Sequence, residues 1–256
     1  MKCSRRALLK IAGISLIGAG VRPALEALGA GGSPRTLASP NRLVGKRWAM
    51  AVHIHKCPTG CKECIDACHR THNVPDFENL KDQVKWIWNE PFRDVFPGGE
   101  NPYLEKGPTE GPVLVLCNHC ANPPCVRVCP TKATFQRKED GIVMMDYHRC
   151  IGCRFCMAGC PYGARSMNFR DPRPFIKGIN PEFPTRTKGV VEKCNFCEER
   201  LARGLMPACV EACKEKALVF GDLENPQSEI RKLLQTRFTL RRKPELGTQP
   251  QVYYLV

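Results

Sequence analysis

The chain has 256 residues, 43% of them hydrophobic, with 22 prolines and 21 glycines. That length allows one large domain or two small ones, and the composition excludes a large, regular core in favour of a loop-rich body. The formal net charge of +14 admits a nucleic-acid partner, and the 17 cysteines decide whether one is needed.

Ser4-Arg5-Arg6-Ala7-Leu8-Leu9-Lys10 and the apolar stretch Ile11–Val21 read as a twin-arginine export signal covering residues 1–30. The stretch is too short and too glycine-rich for a membrane span, which needs about 20 apolar residues; its bland alternative is a short anchor helix. A linker at 31–46 leads to Trp48–His55, which alternates loosely and predicts a strand. The strand enters the first cysteine group, Cys57, Cys61, Cys64 and Cys68. A long insertion, 71–112, follows without an obvious regular pattern. Its Trp86, Trp88, Phe92, Phe96 and Tyr103 suggest a docking surface in preference to a self-packed lid.

The second group is Cys117, Cys120, Cys125 and Cys129. Thr134–Arg137 and Ile142–Asp146 flank Asp140-Gly141 as a hairpin. Its second strand runs into the third group, Cys150, Cys153, Cys156 and Cys160. Gly189–Glu192 then runs into the fourth, Cys194, Cys197, Cys209 and Cys213. Strand, cysteine loop and short helix thus recur as a repeat, with Met144, Met145, Met157 and Met167 as filler beside the loops. The basic run Arg237–Lys243 reads as a solvated or partner-facing edge, and Val252–Val256 as a short closing strand.

All cysteines but Cys3 therefore fall into four groups of four. Four thiolates are the ligand count of a [4Fe–4S] cluster, and Cys150–Pro161 has the C-x₂-C-x₂-C-x₃-C-P spacing in which three thiolates wrap one cube and the fourth reaches another. Structural disulfides fit poorly, because cysteines two residues apart would close redundant local loops. Structural zinc, in a scaffold protein, is the other alternative. Zinc ribbons join two separated C-x₂-C pairs, and only the fourth group, with its eleven-residue excursion, has that look. His53, His55, His69, His72, His119 and His148 lie near these groups. With sixteen cysteines sufficient for four cubes, they are assigned supporting or surface roles.

The cubes also account for the charge. Four oxidised clusters with their thiolates carry roughly −8 together. With the +4 of residues 1–30 set aside, about +2 remains of the +14, and a nucleic-acid partner is not needed.

Cys150–Cys160 with Pro161-Tyr-Gly-Ala-Arg165, Cys117–Pro130 and the end Gly247–Leu255 resemble the four-cluster electron-transfer subunits of complex iron–sulfur oxidoreductases, the NrfC- and PsrB-like group. Cys64-Ile-Asp-Ala-Cys68-His69, His72-Asn-Val-Pro75 and the twin-arginine signal resemble its DsrO branch, the extracytoplasmic subunits of DsrMKJOP complexes of sulfur-metabolising prokaryotes. The resemblance implies crossed ligation. Cys57, Cys61 and Cys64 would share a cube with Cys213, and Cys194, Cys197 and Cys209 with Cys68. Cys117, Cys120 and Cys125 would join Cys160, and Cys150, Cys153 and Cys156 would join Cys129.

It implies a loop-rich α+β fold of two interleaved bacterial-ferredoxin-like lobes, each with two [4Fe–4S] clusters. The outer lobe takes 47–112 and 186–256, and the inner lobe 113–185. The implied function is non-catalytic electron transfer in the periplasm, peripheral to the membrane. The implied partners are an NrfD-like integral membrane subunit and a multihaem cytochrome c, or instead a molybdopterin catalytic subunit of the polysulfide or tetrathionate type.

Overall fold

The computed structural model describes residues 41–98 and 111–256. The export signal, most of the linker, Cys3 and Tyr103 lie outside the described residues. No helix among the described residues is long and apolar enough to cross a membrane.

A four-stranded sheet draws the two ends of the described chain together. β1 (Trp48–His53) lies between β8 (Leu218–Asp222), antiparallel, and β10 (Val252–Leu255), parallel, with β9 (Thr239–Leu240) outside β10. The period of two explains its two faces. Trp48, Met50 and Val52 point into the main core, whereas Ala49 and Ala51 face the helix Glu229–Thr236 and its fully buried Ile230. The small residues let that helix lie close. A methyl group added at Gly221 would stand 3.0 Å from Ile230. Ser228 caps the helix, accepting from the Arg231 N–H at 3.3 Å.

Three two-stranded ribbons complete the fold. β2 (Ile87–Pro91) pairs with β3 (Pro112–Leu116), β4 (Thr134–Gln136) with β5 (Val143–Met145), and β6 (Ser166–Met167) with β7 (Val191–Glu192). The Asp140-Gly141 hairpin forms as expected. The strand expected over Trp48–His55 ends at His53, and that over Gly189–Glu192 shrinks to two residues. With its many short helices and ribbons, the body is α+β.

Two expectations need correction. Over its described residues the insertion does not present an aromatic docking face. Trp86, Trp88, Phe92 and Phe96 are all buried in the main core, Trp88 on β2, Trp86 just before it, and Phe92 and Phe96 in and just after the short helix Phe92–Val95. Phe96 packs edge-on against Tyr254 at 5.2 Å, tying the insertion to the chain's end. Nor is the basic run uniformly an edge: Arg242 is buried, lies 3.4 Å from Glu90 and stacks over Tyr162.

Candidate metal centres

In each cysteine group the last member gathers with thiols of another group. Cys57, Cys61 and Cys64 line one cavity together with Cys213. Cys64 lies in the first turn of the helix Glu63–Thr71, and Cys213 follows the helix Ala208–Glu211, which packs against it. The extra residue between Cys57 and Cys61 is absorbed by Gly60 at φ +83°, a left-handed turn that glycine takes without strain.

Cys68 lies one helical turn beyond Cys64 on the same helix. There it meets Cys194, Cys197 and Cys209, and all four are buried. Burial pushes the Cys68 thiol well up, and these three neighbours push it further.

The second and third groups exchange in the same way. Cys117, Cys120, Cys125 and Cys160 line one cavity with Pro123, Pro124, Tyr162 and Arg165. Cys129 joins Cys150, Cys153 and Cys156 around another. Pro124 opens the short helix that carries Cys125, since proline suits the first helical turn. All sixteen thiols are free, so no disulfide forms among the described residues.

These donor sets fit iron–sulfur cubes. Burial pushes the thiols of Cys64, Cys120 and Cys194 up to about 12. Without a cation such groups stay protonated at neutral pH, so taking up metal must release protons from them. Cys129 differs. Burial acts against its thiolate, but N–H groups of Thr134, Ala133 and Thr131 and the Thr131 hydroxyl hold it below its usual value. Elsewhere the Ala217 N–H donates to Cys213 Sγ at 3.2 Å and the Phe196 N–H to Cys194 Sγ at 3.5 Å. Hydrogen bonds of this kind tune a cluster.

The third loop depends on Gly152, at φ +67°. A Cβ there would stand 2.4 Å from the Gly189 carbonyl oxygen, a backbone atom that cannot swing aside. The Gly152→Ala protein is therefore expected to assemble with about four fewer irons. Iron and sulfide analysis of the purified chain checks this, and full occupancy would refute it.

Among the histidines, His72 and His119 are buried against the cysteine loops. His72 Nδ1 lies 2.9 Å from the Cys68 carbonyl oxygen and 3.6 Å from its Sγ, while Nε2 meets Glu199 at 2.9 Å. His119 accepts from the Val143 N–H at 3.1 Å and stacks on Phe196 with centroids 3.7 Å apart. That stack joins the Cys117–Cys120 loop to the Cys194–Cys197 loop. Burial, then Lys193, holds the His119 pKa well down, so the ring stays neutral.

Four buried charges escaped the reading of the sequence. Arg186 and Glu192, both wholly buried, pair at 2.5 Å. Arg165 donates to Cys125 Sγ at 3.1 Å, and Lys193 to the Cys194 carbonyl at 2.7 Å. The position of Arg165 and Lys193 beside cysteine motifs was the only available signal.

A family model, the 4Fe–4S dicluster domain, matches residues 113–172 and 180–223, which hold the second, third and fourth groups. Over 98% of its length the chain is 42% identical to the Hdr-like menaquinol oxidoreductase iron–sulfur subunit 1 of Archaeoglobus fulgidus, covering 97% of that protein. It is 38% identical to a tetrathionate reductase subunit of Salmonella typhimurium, over all of this chain and 89% of the relative. It is 37% identical to NrfC of Escherichia coli, over 93% and 92% respectively.

Proposed function

We propose that this chain, which belongs to the NrfC-like family of iron–sulfur subunits of oxidoreductase complexes and carries four [4Fe–4S] clusters, relays single electrons between a quinone-linked membrane subunit and a second redox protein. The observation that carries the reading is the gathering of sixteen thiols into four sets, each drawn from two cysteine groups. Those sets are taken as the crossed ligands: Cys57, Cys61, Cys64 with Cys213; Cys194, Cys197, Cys209 with Cys68; Cys117, Cys120, Cys125 with Cys160; and Cys150, Cys153, Cys156 with Cys129. They divide the body into two interleaved ferredoxin-like lobes, each with two cubes.

When bound, each cluster supplies a one-electron carrier. The chain's own part is to hold four thiolates per site, keep water from the buried sets and aim N–H donors at sulfur. With every iron held by cysteine, no open coordination position is left for a substrate, so the subunit is read as non-catalytic.

The finer assignment is to the DsrO branch, exported by the twin-arginine route and peripheral to the membrane. Its partners would be an NrfD-like membrane protein and a multihaem cytochrome c, in sulfur metabolism. The menaquinol named in the 42%-identical archaeal relative supports a quinone-linked partner. The tetrathionate reductase relative supports the competing assignment, an equivalent electron carrier paired with a molybdopterin enzyme.

An EPR-monitored redox titration of the intact complex, with metal analysis, tests the reading. About sixteen iron and sixteen sulfide per chain are expected, with haem copurifying for the first assignment and molybdenum for the second. Zinc without labile sulfide would overturn both.

A further inference from the structure

Arg165 is an arginine where a soluble domain rarely puts one. Its side chain is buried, at 4% exposure, and among the described residues no carboxylate pairs with it. A guanidinium cannot shed its proton to escape burial, so an opposite charge must stand nearby. What stands nearby is sulfur. Nη2 donates to Cys125 Sγ at 3.1 Å and to the Thr134 hydroxyl at 2.7 Å, while Nη1 lies 3.8 Å from Met145 Sδ. Thr134 in turn donates to the Met144 carbonyl at 3.0 Å, which fixes the fork in place.

Cys125 shares its cavity with Cys117, Cys120 and Cys160, and Arg165 lines that same cavity.

We propose that Arg165 is a positioning cation for the cluster ligated through Cys125, raising its reduction potential. Gaining one electron makes each cube with its thiolates one charge more negative, with no bond made or broken. A fixed positive charge beside the sulfurs favours that reduced state. The Cys125 cube receives the hydrogen bond directly. The inference rests on the crossed ligand sets.

The test is an EPR-monitored redox titration of the intact complex carrying Arg165→Met, with iron and sulfide counted in the same samples. One of the four midpoints is expected to fall, by a tenfold or greater change in the reduction equilibrium, about 59 mV for one electron. The other three midpoints, and the metal content, are expected to hold. Arg165→Lys keeps the charge but not the fork. It is expected to restore only part of the shift.

Four unchanged midpoints, or four moving together, would overturn the proposal. Loss of iron in both variants would overturn it too, by making the arginine structural. An error in the ligand sets shows itself separately, in the metal content of paired cysteine variants.

Discussion

A Cys213→Ser, Cys64→Ser double variant is expected to lose no more iron than either single variant, about four atoms or one cube. Pairing Cys213→Ser with Cys209→Ser is expected to lose about eight. Two changes in one site are not additive, whereas changes in separate sites are. Cys213 follows Cys209 by only four residues, yet it lines the cavity of Cys57, Cys61 and Cys64. Cys209 acts instead on the buried Cys68. Ligation within each motif predicts the reverse outcome, with eight atoms lost by the first pair and four by the second. Iron counts on the four variants decide between them.

Removing the charge of Arg186 should cost more stability than any surface change. The arginine meets Glu192 at 2.5 Å with both side chains wholly buried. Glu192 also accepts from Trp86 Nε1 at 2.9 Å and from Asn168 Nδ2 at 2.5 Å. Arg186 donates to the carbonyls of His72 and Asn73, the turn that ends the Cys68 helix. The network therefore fastens that helix to β7, which leads directly to Cys194.

In Arg186→Met, Glu192 keeps a buried charge with its cation gone, a loss of about 3–5 kcal/mol. For a body of this size that lowers the apparent Tm by on the order of 10 °C, measured by bleaching of the cluster absorbance on heating. Adding Glu192→Leu should recover part of the loss, since it removes the stranded charge but leaves Trp86 and Asn168 without their acceptor. A single variant that melts with the parent protein would sink this account.

The cysteine spacings made the cofactor class readable, because a cube demands thiolates at short, regular intervals whatever surrounds them. The β4–β5 hairpin was equally plain, since Asp140-Gly141 imposes its turn locally. The insertion was not. Nothing in 71–112 says that β2 will pair with β3 and turn Trp86 to the inside, because that register depends on a partner strand. Arg242 misled for the same reason: its neighbours in sequence are basic, while its neighbours in space are Glu90 and Tyr162. Arg165, Arg186 and Lys193 look like ordinary surface charges until the chain closes over them.

Local covalent spacing thus carried the number and kind of donor groups, and the strand-and-loop rhythm around them. Which thiol joins which set, and which charges are sealed beside the sulfurs, came only from packing residues far apart in the chain. Cys68 and Cys194 are 126 positions apart, and no interval that long is written in a motif. It is set by two helices, one sheet and a buried ion pair settling against each other.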